Sequence, residues 1–221
     1  MWKYLLAVLT AASCCAQAAT NDPPSCHDKD RGIIADLDHI VAPQGIQESY
    51  KLHVGGIDQW VYVRGQDKAN PIILFIHGGP AAPLSPVMWQ FQRPLEEYFT
   101  LVNWDQRGAG KTYLTVNPDS IADTIHISQY VSDAIEVAEA IRHKYGVRKL
   151  ILMGHSWGTV VGMKAALARP DLFYAYVGIG QVINTRTNEK LSFEYGLEQA
   201  KKTNNTEAVT ELGAQPPERR R

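Results

Sequence analysis

Apolar residues become regularly spaced from about residue 50, first in alternation and then in uninterrupted runs. The segments YKLHV and QWVYVRG alternate apolar and polar residues on either side of Gly55-Gly56-Ile57-Asp58, which predicts a β-hairpin. Three continuous apolar runs follow, PIILFI, LVNW and LILM. Runs of this kind are typical of strands that are covered on both faces, so they predict a buried sheet.

A segment with helical periodicity separates the second and third runs. In SQYVSDAIEVAEAIRHKYG, which Gly146 ends, the positions that recur at helical spacing are Tyr130, Ala134, Ala138, Ile141 and Tyr145. FYAYVGIGQV predicts a further short strand. Strands that alternate with helices favour a mostly parallel sheet flanked by helices. We therefore predict an α/β fold with its core at residues 50–183.

The first residues have the pattern of an export signal. MWKYLLAVLTAASCCAQAAT combines the cation of Lys3, an apolar run from Tyr4 to about Ala12, and the small-x-small site Ala16-Gln17-Ala18. The run is too short for the ~20 apolar residues that cross a bilayer, so no stable membrane anchor is expected. We predict a signal peptide at residues 1–18 and a secreted or periplasmic protein.

Two other interpretations of this segment stay open. One is a buried N-terminal helix, and the other is a lipoprotein acylated at Cys14 or Cys15. The lipoprotein signal is weak, because alanine rather than leucine stands three residues before each cysteine. Cleavage after Ala18 leaves a polar leader at residues 19–49, in which Cys26 is the lone cysteine of the mature chain and is expected to be an ordinary surface thiol.

Composition excludes several classes of partner. The chain has 22 Lys and Arg against 23 Asp and Glu, and no basic stripe interleaved with aromatic residues, so nucleic acid is not an expected partner. No ligand spacing indicates a metal or a cofactor. The oligomeric state is not indicated.

After Asn184 the chain turns to charged, helix-prone segments joined by Thr203-Asn204-Asn205. These segments predict peripheral helices.

Unusual chemistry follows three of the apolar runs. His77-Gly78-Gly79-Pro80 comes after PIILFI, Asp105-Gln106-Arg107-Gly108-Ala109-Gly110 after LVNW, and Gly154-His155-Ser156-Trp157-Gly158 after LILM. Parallel sheets bind their ligands at the carboxyl ends of their strands. The three motifs are therefore expected to meet at one edge of the sheet and to form a site there.

The motif Gly154-x-Ser156-x-Gly158 at a strand-to-helix turn is a nucleophile elbow. Its glycines avoid clashes that a Cβ would cause, and the serine is held in a strained backbone conformation at the amino end of a helix. The alternative is a serine that only caps this helix. We predict that Ser156 is the nucleophile and that Gly154 and Gly158 support it.

The HGGP loop is the expected source of oxyanion-binding groups, because backbone N–H donors on glycine-rich turns need no reorganisation. We predict that the amides of Trp157 and Gly79 form the oxyanion hole, with Gly78 and Pro80 shaping the loop. His77 has two interpretations, a structural histidine bonded to its own loop and a catalytic base, and we favour the first. His155 is likewise expected to be structural.

Asp105 and Arg107 also have two interpretations. A couple formed by these two residues that braces the strand-end loops is favoured over direct contact with the substrate. Trp157 and Trp104 are candidates for the lining of a pocket.

The order HGGP, DQRGAG, GHSWG resembles the proline iminopeptidase-like branch of the α/β-hydrolases. The resemblance implies a serine hydrolase that acts on N-terminal prolyl or related small peptide and amide substrates, with residues 184–221 as the beginning of a helical cap. Two positions depart from the family pattern, Ala81 where HGGPG is usual and His155 where glycine is frequent in aminopeptidases. General esterase or amidase chemistry therefore stays open.

The triad of this fold runs in the order Ser, Asp or Glu, His, and the chain departs from it. All seven histidines precede Ser156, and Asp171, in the helix-end segment ARPD, is the only aspartate after it. We expect a fragment that is cut within the cap, lacks the last strands and the triad Asp and His, and is inactive alone. The other class of function is a non-catalytic binding or vestigial protein.

The signal-peptide interpretation makes a direct prediction. Exported protein should begin near Ala19, because the short apolar run and the alanine site both require cleavage after Ala18. The intact mass of the exported chain measures this. A retained Met1, or a lipid on Cys14 or Cys15, would contradict it.

Overall fold

The computed structural model describes residues 26–214 of the chain. These residues belong to two units, which divide between His39 and Ile40. The predicted signal peptide and residues 215–221 lie outside the described residues. In the first unit, helix α1 spans Cys26–Asp38. It lies in the segment for which the sequence predicted only a polar leader.

In the second unit, the residues that the structure describes include six strands that form one sheet. In chain order they are β1 Ile46–Val54, β2 Ile57–Gly65, β3 Ile72–Ile76, β4 Thr100–Trp104, β5 Leu150–His155 and β6 Phe173–Ile179. All six were indicated by the hydrophobic pattern. The core boundary predicted at residue 50 falls inside β1, whose first residues have no apolar alternation to reveal them.

Helices connect these strands and end the described chain. They are α2 Met88–Phe91, α3 Gly110–Thr115, α4 Pro118–Ile121, α5 Ile127–Tyr145, α6 Trp157–Ala168, α7 Thr185–Lys202 and α8 Thr206–Ala214, with 3-10 turns at Arg93–Leu95, Ala122–Thr124 and Pro170–Leu172. α5 is the helix predicted from the apolar period, and Gly146 caps its carboxyl end in the left-handed conformation. α7 and α8 are the predicted peripheral helices.

The sheet has the strand order β1-β2-β4-β3-β5-β6. β1 and β2 form the predicted hairpin, and β2 also runs antiparallel to β4. The other pairs, β4 with β3, β3 with β5 and β5 with β6, are parallel. The predicted fold class, a mostly parallel sheet flanked by helices, is therefore confirmed, and the carboxyl ends of β3 to β6 share one edge.

Burial is greatest at the centre of the sheet. Every residue of β3 and β4 is buried, as expected for strands that are covered on both faces. Helix α5 packs its predicted apolar positions against this centre, and Ala134, Ala138 and Ile141 are fully buried. By contrast β6, at the sheet edge, is exposed along most of its length.

A buried ion pair joins the loop after β4 to α5 and to the hairpin. The Arg107 guanidinium binds both carboxylate oxygens of Asp133, at 3.0 and 3.2 Å. It also donates to the Gly55 carbonyl at 2.7 Å and to the Thr124 hydroxyl at 3.0 Å. Gly55 has φ +56°, and a Cβ there would collide with the Arg107 and Asp133 side chains, so the hairpin turn can close only on glycine.

We expect Asp133→Asn to lower the free energy of unfolding by ~3–5 kcal/mol, because it leaves the buried Arg107 charge without its partner. Glu198→Gln is the control, since its pair with Lys202 is exposed and should cost less than about 1 kcal/mol. Urea denaturation measures both variants. A loss at Asp133 as small as that at Glu198 would contradict the role given to the pair.

Candidate active site

The register of the parallel strands brings the three predicted motifs together. Ile76 pairs with Gly154 at the ends of β3 and β5, and Phe75 pairs with Asn103 near the ends of β3 and β4. The HGGP, DQRGAG and GHSWG segments therefore leave neighbouring strands at one edge of the sheet. A Cβ placed on Gly78 would lie only 3.2 Å from the Ser156 Cβ, so the first loop contacts the serine turn directly.

Ser156 occupies the turn between β5 and α6 in a conformation that side chains rarely adopt, with φ 51° and ψ −117°. Its backbone N–H donates to the Ile179 carbonyl at the end of β6, at 2.9 Å. Its side chain makes no capping hydrogen bond to α6. The hydroxyl group is thus not used as a helix cap, and the strain favours a functional role for the residue.

The two glycines of the motif allow the helix to approach the sheet. A Cβ on Gly158 would collide with the carbonyl oxygens of Ile76 and His77, and a Cβ on Gly154 would collide with the carbonyl group of Gly158. These are backbone atoms of neighbouring elements, which cannot move aside as a flexible side chain can. Close approach explains both glycines, as the motif predicts.

Two backbone amides near Ser156 are available as donors. Within residues 26–214, the N–H groups of Trp157 and Gly79, the pair predicted for the oxyanion hole, donate to no protein acceptor. Trp157 begins α6, where the helix dipole favours negative charge. Gly79 has φ +117° and precedes Pro80 through a cis peptide bond. Their use as an oxyanion hole stays a prediction, which the lack of protein acceptors supports.

His77 is buried, and both of its ring nitrogens are occupied. Nε2 accepts the Gln106 N–H at 3.3 Å, and Nδ1 lies 2.8 Å from the Gly78 carbonyl oxygen, to which it donates. The ring is therefore neutral with its proton on Nδ1, and burial lowers its pKa. Because neither nitrogen is free, His77 braces its loop and is not placed to act as a base. His155 is exposed at the end of β5 and lies against Gly78.

Asp105 and Arg107 do not form the predicted couple. Asp105 accepts hydrogen bonds from the Tyr62 hydroxyl at 3.1 Å, the Ser85 hydroxyl at 2.7 Å and the Lys111 N–H at 2.8 Å. Arg107 pairs with Asp133 instead. The predicted pairing was wrong, because three neutral donors satisfy the Asp105 carboxylate. Asp105 and Arg107 each brace the strand-end loops separately, as the predicted supporting role requires.

The two tryptophans differ in their environment. Trp104 is buried in the core, where its indole donates to the Gln59 amide oxygen at 2.8 Å, so it does not line a pocket as suggested. The Trp157 ring packs edge-on against the Tyr130 ring, with 5.7 Å between the ring centroids. The Tyr130 hydroxyl in turn donates to the Arg107 carbonyl, which connects the serine turn to the loop after β4.

Sequence reasoning missed a set of polar residues that connects the serine turn to β6. The Thr159 hydroxyl donates to the Ser156 carbonyl at 2.6 Å, and the Tyr176 hydroxyl donates to the Gln181 amide oxygen at 2.7 Å. No local pattern marks these residues, because their partners lie on different elements. Across residues 26–214, no cluster of side chains could hold a metal ion, and no helix is long and apolar enough to cross a membrane.

Comparison with known proteins agrees with this geometry. Residues 71–208, more than half of the chain, match the family model described as the alpha/beta hydrolase fold. This chain belongs to the α/β-hydrolase family. It is 34% identical over 169 residues to the probable aminopeptidase YbaC of Bacillus subtilis, an alignment that covers 76% of this chain and 52% of YbaC.

Two further family members are informative. The proline iminopeptidase of Neisseria gonorrhoeae is 29% identical, over 54% of this chain and 36% of its own length. The crystal structure of epoxide hydrolase VrEH1 from Vigna radiata superposes with a TM-score of 0.52 at 30% identity, over 63% of this chain and 42% of that one. The chain thus spans about half or less of the length of these relatives.

The bonding of His77 predicts a pH dependence. Its folded-state pKa is below the ordinary value of 6.5, so the unfolded chain binds more protons and stability falls as the pH drops below about 6.5. We expect His77→Gln to be less stable than the wild type at about pH 7.5, with the difference narrowing by about pH 5. Urea unfolding at both pH values measures this.

The control is Thr115→Val, which removes an exposed hydroxyl of α3 and no titrating group. This variant should keep the pH dependence of the wild type. If the His77→Gln and wild-type curves stay parallel over the whole range, the neutral, buried state of His77 is wrong.

Proposed function

We propose that this chain carries the nucleophile and the oxyanion hole of a serine hydrolase that cleaves small peptide, amide or ester substrates. The observation that carries the proposal is the Ser156 turn. Its hydroxyl is not used as a cap, its backbone is strained, and within residues 26–214 the amides of the next residue, Trp157, and of Gly79 have no protein acceptor. A hydroxyl and amide donors that the fold leaves unused are what acyl transfer needs.

The proposed reaction begins with attack of the Ser156 Oγ on the substrate carbonyl carbon. The new C–O bond pushes the π electrons onto the carbonyl oxygen, and the Trp157 and Gly79 amides stabilise that oxyanion. Collapse breaks the bond to the leaving nitrogen or oxygen, which takes from the base the proton that the base received from serine and departs as the amine or alcohol. Water, which gives a proton to the same base, then attacks the acyl-serine ester, and the serine leaves as the free hydroxyl. His77 does not serve as the base that accepts the serine proton, since neither of its ring nitrogens is free.

A serine nucleophile is compatible with amide and ester hydrolysis but not with epoxide hydrolysis. Attack of a serine oxygen on an epoxide carbon would open the ring and form an alkyl ether, which has no carbonyl for water to attack, so the enzyme could not turn over. Attack on an amide or ester forms a hydrolysable ester instead. We therefore favour the chemistry that the names of YbaC and the proline iminopeptidase indicate.

A fluorophosphonate probe tests the nucleophile in the 221-residue chain. We expect slow, stoichiometric modification at Ser156, because general-base help worth about 10²–10⁴ in rate is missing. Ser156→Ala should abolish the adduct and leave the fold intact. Ser128→Ala, an exposed serine on α5, should change nothing, and peptide mapping should place the adduct on Ser156.

Modification that persists in Ser156→Ala would overturn the nucleophile assignment. In a longer form of the protein that also carries the base, hydrolysis of a proline arylamide and of a short acyl ester should be compared. Turnover of the ester alone would favour a general esterase over a peptidase. Turnover of neither would favour the non-catalytic binding protein.

A further inference from the structure

Thr159 joins the serine turn to a distant part of the chain. It is the third residue of α6 and is fully buried. Its hydroxyl donates to the Ser156 carbonyl at 2.6 Å and accepts the Val182 N–H at 2.9 Å. One oxygen atom therefore bridges the backbone of the proposed nucleophile and the segment at residues 180–184, which leads from β6 to α7.

A second side chain strengthens this bridge. The Tyr176 hydroxyl lies 2.7 Å from the Gln181 amide oxygen and 3.2 Å from the Thr159 carbonyl oxygen, so its one proton is shared between these acceptors, with the shorter bond to Gln181. The Gln181 amide nitrogen donates to the Val182 carbonyl at 3.0 Å. Val182 is thereby held through both its N–H and its carbonyl group, and the segment has a defined position against α6.

The strained backbone of Ser156 needs such support. A residue at φ 51° and ψ −117° keeps that conformation only when its surroundings over-determine it. Its N–H is held by the Ile179 carbonyl, at the end of β6, and its carbonyl by the N–H and hydroxyl groups of Thr159. The amide is thus held by β6 directly, and the carbonyl is held by Thr159, which in turn contacts the segment after β6.

A helical threonine that bonds to a carbonyl three or four residues earlier is common and is usually only local. Thr115 in α3 is such a case, since its hydroxyl donates to the Lys111 and Thr112 carbonyls. Thr159 differs because it also accepts a hydrogen bond from a segment 23 residues later. Local helix geometry does not require that second bond.

We propose that Thr159 is a positioning residue for Ser156, an inference that rests on the proposed function of this serine. Its hydroxyl fixes the Ser156 carbonyl and so the direction of the Oγ. The same hydroxyl makes the reactivity of Ser156 depend on the position of residues 180–184. Thr159 acts through the serine backbone and does not touch the substrate.

The test compares Thr159→Val, which keeps the shape and loses the hydroxyl, with Thr159→Ser, which keeps the hydroxyl. The rate of fluorophosphonate modification at Ser156 should fall about tenfold in the valine variant and stay within about twofold of the wild type in the serine variant. Thr100→Val is the matched control. Its buried hydroxyl donates to the Asp67 carbonyl at the opposite end of β4, so its loss should leave the rate unchanged.

A second readout separates this inference from the proposed function. Hydrogen exchange of the Ser156 and Val182 amides should be faster in Thr159→Val than in either Thr159→Ser or Thr100→Val, whether or not Ser156 reacts with the probe. If Thr159→Val does not fold, Tyr176→Phe takes its place and should show the same changes to a smaller degree. Absence of modification in the wild type would overturn the proposed function of Ser156. The exchange rates would still show whether the Thr159 hydroxyl holds Ser156 and Val182 in place.

The bridge is overturned by either of two results. The first is a valine variant that reacts as fast as the serine variant. The second is amide exchange in the valine variant that does not exceed that of Thr100→Val.

Discussion

The buried pair of Arg107 and Asp133 is the interaction on which the site most depends. Charges removed from water must be paired, and breaking such a pair is costly. This pair fixes the loop after β4 against α5 and the hairpin turn. The same loop carries Gln106, whose N–H and side-chain amide hold His77. Through His77, the position of the HGGP loop follows from an ion pair that has no part in the chemistry.

Much of this fold could be predicted because its signals are local. An uninterrupted apolar run has few alternatives to a buried strand, and the helical period of α5 is long enough to be unambiguous. The nucleophile turn was predictable for a steric reason, since the clash of a Cβ on Gly158 with the carbonyls of Ile76 and His77 leaves glycine as the only residue that fits. Motif spacing then placed the three loops at one edge.

What could not be predicted depends on pairs that are far apart in the sequence. Arg107 was expected to pair with its near neighbour Asp105, but Asp133 lies on the next long helix and presents both oxygens to the guanidinium. The hydrogen bond between Thr159 and Val182 connects a side chain to a backbone group in an irregular segment. No local sequence pattern predicts such a bond. Helix α1 was missed because its apolar positions are few and mostly exposed.

The exposure of β6 has a consequence for how the protein would lose function. This strand lies at the edge of the sheet with few buried residues, yet its last carbonyl, that of Ile179, holds the Ser156 amide. Weakly packed segments open locally at a lower free energy than the whole fold. Detachment of β6 would release the serine turn while the central strands stay folded, so mild denaturant or heat would abolish reactivity before any global transition.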